Sequence, residues 1–416
     1  MTVVKLSHLL EKGNIFCYNN IINEILMKLR SHQLDSLIAM QQCDKGQIIV
    51  PTGGGKTMCM IEDAKYRFDM NSVSKTIVVV APRILLANQL SADFLEHITN
   101  VDVMHVHSGE THHFSSTKTE VIENWYHNSI NNQLIFTTYH SLHRITESLD
   151  IEIDTIYFDE AHNSVQKNFI EAVEYCSIYA QRKYFFTATP KHSLTPKKVG
   201  MNDSDIFGQV ICNVPAPKLV DEGHILPPKV VVKKIDVTDD SRFGYEKDCD
   251  HIVETIDDVD VDKVLICARS TKQIVSLISL SKFVSELAWR GYSYMYITSK
   301  TGGVIDGQKV TREEFFDTLN AWGKTDKRFV VLHHSILSEG INVNGLEAVL
   351  FLRSMDYIGI SQSIGRVIRK GDITKQFGLV CIPVYDKVGI STSKKVQAVV
   401  DTVFKDGQPA ISIVRS

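Results

Sequence analysis

Short runs of β-branched and aromatic residues recur along the chain, separated by longer mixed segments of helical spacing. In the first half the runs are QIIV, TIVVVAP, VDVMHVH, QLIFTTY, DTIYFDE and KYFFTATP; in the second they are KVLICA, YSYMYIT, RFVVLHH, EAVLFLR and FGLVCIPVY. Most are continuously apolar rather than alternating, the pattern of strands covered on both faces. Such strands alternating with helices predict an α/β protein with parallel sheets. The rhythm breaks between Val214 and Val237, where VPAPKLVDEGHILPPKVVVKKIDV carries four prolines and then a strand-like run. That break predicts two doubly wound domains, residues 1–225 and 241–416, joined by a linker over residues 226–240. Two sheets imply a cleft.

Composition narrows the setting. The 416 residues are 44% hydrophobic and 23% charged, which suits a globular chain of roughly two or three domains. A formal charge of −4 leaves no global basic field, so any nucleic-acid contact must come from a local cleft. The eight cysteines are scattered without a CxxC pair, which argues for reduced thiols and against a zinc site or disulfide frame. The start, MTVVKLSHLLEKGN, meets charge too early for a secretory core. No apolar run reaches the ~20 residues of a membrane span. The expectation is a soluble cytoplasmic protein that makes no membrane contact.

Three stretches carry chemistry. QIIV runs straight into PTGGGKT, and TMCMIEDAKYRF continues with helical spacing. That is the context of a P-loop, because the new helix aims unpaired N–H groups at a phosphate. Gly53, Gly54 and Gly55 let backbone approach phosphate oxygen, Lys56 reaches the β- and γ-phosphates, and Thr57 sets its hydroxyl on Mg²⁺. The general pattern has a first glycine where this chain has Val50. A Gly-rich turn opening a helix is the bland alternative; it does not explain why strand, glycines, Lys-Thr and helix stand in this order. Further on, TIYFDEAHN delivers Asp159 and Glu160 to the carboxyl end of a buried strand, where α/β sites gather. Asp159 would hold Mg²⁺ through water, and Glu160 would polarise the attacking water. Two acids opening a helix, complementing its dipole, is the competing reading. Near the end of the chain, QSIGRVIRKG sets Gln362, Arg366 and Arg369 on one face of a helix beginning near Tyr357. Two arginines and a glutamine suit a γ-phosphate; a solvated basic helix is the alternative.

Together these motifs resemble the superfamily-2 helicases and translocases, in the branch with DEAH as its second motif. Other segments are similar to that family's motifs in order. LRSHQLDSL resembles the adenine-reading segment, with Gln33 and Arg30 at the base, and Pro51 and Thr52 lead into the phosphate loop. VVAPRILLANQL and FTTYHSL resemble the motifs that follow. FTATPK, with Thr187, Ala188 and Thr189, resembles the motif that, with His162, couples hydrolysis to motion. VLICARST and YITSKT resemble the next segments, and ILSEGINV the fifth motif, where Gly340 would meet ATP and Asn342 stands where relatives commonly carry Asp. The resemblance spans roughly Leu29 to Lys370. It implies two tandem RecA-like domains with ATP and Mg²⁺ between them. It also implies one nucleic-acid strand lying across both, on Arg83, Thr137 and Thr138 in the first domain and Arg269, Ser299 and Lys300 in the second. Phosphate contacts of that kind hold any sequence. The compact core looks most like phage and bacterial DNA enzymes, with branch-migration helicases of the UvsW and RecG type the nearest comparison, acting on DNA in preference to RNA and on branched or forked substrates in a bacterial or host cytoplasm.

Alternatives stay open beside this reading: an ATP-switched nucleic-acid clamp or remodelling subunit without strand separation, an RNA helicase, and a small-molecule P-loop kinase. MHVHSGETHH gathers His105, His107, His112 and His113, with His105 and His107 on one strand face. A metal pair there competes with a core strand beside the nucleic-acid path. His333 and His334 read as core strand and domain interface. The stretch from Ser299 to Glu314 reads as a flexible connector.

Overall fold

The computed structural model describes residues 29–69, 73–148, 151–234, 244–298, 301–334, 345–353, 355–370, 375–384 and 387–414. The first domain is a seven-stranded parallel sheet built from β1 (Lys45–Ile49), β2 (Thr76–Ala81), β3 (Val101–Val106), β4 (Asn132–Thr138), β5 (Thr155–Phe158), β6 (Arg182–Thr187) and β8 (Val210–Asn213). A short strand, β7 (Lys191–His192), lies outside it. The spatial order is β3-β4-β2-β5-β6-β1-β8. Every residue of β2 and β5 is buried, which explains why these strands read as unbroken apolar runs. Removing each such Val, Ile or Phe from water contributes ~1.5–3 kcal/mol.

The second domain has eight strands: β9 (Pro228–Lys234), β10 (Lys263–Cys267), β11 (Ser293–Thr298), β12 (Gly302–Ile305), β13 (Gln308–Val310), β14 (Phe329–His333), β15 (Ala348–Phe351) and β16 (Gly378–Val384). From β11 through β14, β10, β15 and β16 to β9 the pairing is parallel. The fold is therefore the α/β arrangement of two doubly wound sheets expected from the pattern. The apolar core is continuous between the lobes, one buried cluster holding residues of both sheets together with Ile225, Leu226, Val403 and Ala410.

Two expectations need correcting. Pro228–Lys234, within the stretch read as a linker, is β9, paired with β16 from Gly378↔Pro228 to Val384↔Lys234. As an edge strand it tolerates the proline at its start, which donates no hydrogen bond. The stretch read as a flexible connector holds the antiparallel hairpin β12–β13, paired through Ile305↔Gln308. Asp306 and Gly307 turn it at φ 44° and 84°, values that an Asp-Gly turn accepts.

A second link joins the lobes. β17 (Ser412–Ile413) pairs with β7 of the first domain; the Ser412 amide donates to the Pro190 carbonyl at 3.0 Å and the Val414 amide to the His192 carbonyl at 2.8 Å.

Candidate nucleotide-binding site

The sheet order places the site. β6 lies between β1 and β5, so the loops leaving the carboxyl ends of these three strands stand side by side. The loop after β1 runs through Pro51 into the helix Lys56–Asp69. Gly53 and Gly55 have φ of 85° and 82°, the left-handed region that glycine reaches without cost. A Cβ on Gly54 would stand 2.5 Å from Val50 Cγ1, so the turn closes only over a bare backbone. Val50 itself is fully buried, which is what occupies the position where the general pattern has glycine.

The loop is held from behind by the helix Ser31–Gln42. Gln33 Nε2 donates to the Gly55 carbonyl at 3.2 Å while its Oε1 accepts the Arg30 amide at 2.9 Å. His32 Nε2 donates to the Gly54 carbonyl at 2.6 Å, a support that no motif in the sequence signals.

After β5, Asp159 and Glu160 are both buried. Burial, then the charge of Glu160, pushes the Asp159 carboxyl above the usual carboxylate range, with Lys56 opposing. Glu160 sits in the left-handed region, φ 46° and ψ 52°, a conformation that costs a side-chain-bearing residue on the order of 1–2 kcal/mol. Asn163 Nδ2 donates to its carbonyl at 3.0 Å and holds it there. Its carboxylate lies 3.9 Å from Lys56 Nζ and 3.5 Å from His162 Nδ1. His162 Nδ1 in turn lies 3.1 Å from Thr187 Oγ1, which accepts the Thr189 amide at 3.1 Å. The acid pair is thus wired to the end of the intervening strand β6, and buried Ala188 continues that segment.

The second domain supplies the opposite wall. The helix Tyr357–Val367 starts on Asp356, whose side chain accepts the Gly359 amide at 2.8 Å. It carries Gln362 and Arg366, both buried. Arg369 lies past the helix end rather than on its face. There the Leu226 amide donates to the Ile368 carbonyl at 2.7 Å and Ile225 bridges to Arg369, drawing the chain out of the helix. Burial pushes both guanidinium groups down to about 10, against the raising effect of Glu160, so both stay charged at neutral pH. At Gly365 the helix touches the glycine loop: a Cβ there would lie 2.4 Å from Thr52 Cβ.

These groups enclose a cavity of about 750 Å³. Its walls include Arg30, Gln33, Thr52, Gly53, Gly55, Lys56 and Thr57 with Asp159 and Glu160 from one lobe, and Gln362, Arg366 and Arg369 from the other. Thr52 Oγ1, Gln362 Nε2, Glu160 Oε2 and Arg369 Nε are buried without a hydrogen-bond partner. Of these, Thr52 Oγ1, Gln362 Nε2 and Arg369 Nε can donate to a polyanionic ligand, while the Glu160 oxygen is placed to accept from water.

A larger cavity of about 1290 Å³ opens where the lobes face each other above β4. Arg83 and Thr138 line it from the first domain, Arg312 and Asn320 from the second; Arg312 carried no sequence signal. Thr137 is not brought there, since its hydroxyl donates to the Val106 carbonyl at 2.8 Å inside the sheet. Arg269 pairs with Asp248 at 2.7 Å and is not in this wall. Ser299, Lys300 and Gly340 lie outside the described residues. His105 and His107 hydrogen-bond to each other at 3.0 Å, and His105 also to Ser91 at 3.0 Å. His333 is buried in β14, 3.3 Å from Cys267 Sγ. Among the described residues the cysteines are free, and no helix is long and apolar enough to cross a membrane.

Comparison with known proteins agrees with this architecture. The class that the fold defines is a two-domain α/β core with a doubly wound sheet in each domain. Residues 16–192, less than half of the chain, match the family described as "Type III restriction enzyme, res subunit". The chain is similar in structure to the "ATP-dependent Type ISP restriction-modification enzyme LlaBIII bound to DNA", with TM-score 0.72 and 17% identity over 93% of this chain and 31% of that one. It is similar to the nuclease-deletion mutant of the Type ISP enzyme LlaGI, solved with a DNA substrate mimic, with TM-score 0.64 and 18% identity over 92% of this chain and 30% of that one. A putative HsdR subunit fragment of a type I restriction enzyme from Vibrio vulnificus YJ016 gives TM-score 0.61 and 15% identity over 93% of this chain and 72% of that one. The chain thus spans under a third of the first two proteins. No curated protein sequence matches it.

Proposed function

We propose that the protein is an ATP-dependent motor on DNA, a translocase or helicase whose lobes close on ATP and part after hydrolysis. The observation that carries this is the meeting of the phosphate loop, the acid pair and two arginines from a different sheet in one cavity. A small-molecule kinase has no use for arginines on a second doubly wound domain. In this reading Lys56 and the glycine loop bind the phosphates, Glu160 orients and deprotonates the attacking water, and Arg366 and Arg369 meet the charge that develops on the γ-phosphoryl oxygens. Thr57 and Asp159 would hold Mg²⁺, which supplies positive charge to the phosphate oxygens. Arg30 and Gln33 bound the base, and His162 with Thr187, Ala188 and Thr189 relays the state of the site to β6. Contacts between these arginines and the γ-phosphate exist only with ATP bound, so closure is driven by differential contacts.

DNA is favoured over RNA because two similar structures were solved with DNA or its mimic. Their restriction-type setting favours a motor serving a larger assembly at least as much as a branch-migration enzyme. An ATP-switched clamp without strand separation is the second reading.

Steady-state ATPase, without nucleic acid and then with single-stranded DNA, duplex DNA, a four-way junction and RNA, tests the proposal. DNA should raise the rate, and Glu160→Gln should keep nucleotide binding while kcat drops by ~10²–10⁴. Normal turnover in that variant would sink the catalytic assignment, and indifference to every nucleic acid would sink the motor. Strand displacement separates helicase from clamp or duplex translocase.

A further inference from the structure

We propose that His32, Glu222 and His224 form a binding site for a divalent first-row transition ion, of which Zn²⁺ is representative, in the wall of the nucleotide cavity. The proposal goes beyond the motor reading and does not depend on it. One ligand atom from each of the three side chains lies within 4.8 Å of the other two, and among the described residues no other group of His, Cys, Asp or Glu converges in this way.

Three observations argue for ligation rather than a chance cluster. First, the His32 ring is wholly buried, and because a carbonyl only accepts, its Nε2 must carry the hydrogen given to Gly54. Nδ1 therefore keeps its lone pair, and it is buried with no hydrogen-bond partner. A histidine that donates one ring N–H to a backbone carbonyl and keeps the other nitrogen bare is arranged as metal-bound histidines are. Second, Glu222 Oε2 stands 3.3 Å from His224 Nε2. Bonds of ~2.0–2.1 Å at a tetrahedral ion put neighbouring ligands ~3.4 Å apart, so this edge is already at its bound length. Third, Ser31 Oγ donates to the Glu222 carboxylate at 3.0 Å and 3.1 Å, orienting it as outer-shell groups do. Two imidazoles and one carboxylate select Zn²⁺, Co²⁺ or Ni²⁺ over the hard Mg²⁺ of a nucleotide site.

The position gives the ion something to do. It would staple the helix Ser31–Gln42 to the turn Glu222–His224, whose continuation at Ile225 and Leu226 bonds the segment bearing Arg369. Through His32 it would stiffen the phosphate loop at Gly54. His224 also lines the cavity beside Arg30 and Gln33, so occupancy would be felt by a bound nucleotide.

The test is isothermal titration of the nucleotide-free full chain with Zn²⁺, with Co²⁺ absorption to report the coordination. One ion per chain is expected, with the intense visible bands of four-coordinate Co²⁺. Glu222→Ala and His224→Ala change accessible side chains and should weaken binding at least tenfold, roughly the floor expected when metal-site partners are lost. His112→Ala, on the other histidine-rich segment, should leave it unchanged. Equal affinity in wild type and both ligand variants, or no saturable binding, would overturn the site.

Discussion

Gly365→Ala tests most directly whether contact between the two lobes limits turnover. In an ordinary helix interior the change would stabilise by ~1 kcal/mol, since glycine loses the most backbone freedom. Here the new Cβ would lie 2.4, 2.5 and 3.0 Å from Thr52 Cβ, Cγ2 and Oγ1. Carbon atoms rest at ~3.5–4.0 Å, so the helix and the phosphate loop must separate by about 1 Å. Overpacking of this kind costs ~1–3 kcal/mol, and it is incurred only while the lobes touch. The cost therefore falls on closure rather than on either domain, a shift of about 5–150-fold in that equilibrium. A 1 Å retreat of Arg366 and Arg369 alone can cost ~10²-fold in rate. DNA-stimulated ATPase should fall by a factor in this range while circular dichroism and the melting temperature stay near wild type. The three nearest atoms all belong to the Thr52 side chain, so Thr52→Gly in the same molecule should restore part of the loss relative to the two single changes. Wild-type turnover in Gly365→Ala would refute the argument that this approach belongs to the working state.

Three further outcomes are expected. Arg366→Ala should keep nucleotide binding and lower kcat by ~10³–10⁵, measured by single-turnover hydrolysis; a loss of binding alone would remove its transition-state role. Asp63 is fully buried, 3.2 Å from Arg67, and accepts the Tyr157 hydroxyl at 2.7 Å and the Gln41 amide at 2.9 Å. Asp63→Ala strands the Arg67 charge and should cost ~3–5 kcal/mol by denaturant unfolding, whereas a loss under 1 kcal/mol, by the same reasoning, would mean water reaches it. Burial holds His333 far below its ordinary 6.5 and His105 down to about 3, so both stay neutral in the fold and take up protons on unfolding. Below that ordinary value the unfolded chain binds more protons, so stability is full above it and declines as pH falls, by up to ~1.4 kcal/mol per unit per histidine. The melting temperature should drop from about pH 7.5 to about pH 5, and His333→Asn should flatten the slope; a level wild-type profile would contradict the burial argument.

The strands most legible in the sequence are those buried on both faces, because burial forces an unbroken apolar run, as in Ile77–Ala81. Edge strands escaped that logic. β9 alternates less cleanly, ends in Lys233 and Lys234 and begins at a proline, so it reads as a linker although every one of its residues pairs with β16. The hairpin β12–β13 was legible after all, in its Asp-Gly pair, but its flanking glycines masked it. Of the candidate site, the residues set by local geometry were readable: glycines at positive φ, a lysine at a helix start, acids at a strand end. What joins segments far apart in sequence was not. Nothing in LRSHQ says that His32 holds the phosphate loop, and nothing in Gly365 names Thr52 as its neighbour. Arg269, placed by motif likeness, faces Asp248, and only coordinates reveal that.

The short pairing of β17 with β7 bears on how the lobes of the proposed motor would swing. Two bodies joined at a single point tumble about any direction, like a ball on a chain. Among the described residues, two backbone ties of this kind are the passage of the chain from β8 to β9 and the grip of Ser412 and Val414 on Pro190 and His192. A gate hung on two pins has one axis, the line through them. In the proposed motor, opening would thereby be reduced from three rotations to one, so that successive strokes would retrace the same arc and return the arginines to the same place.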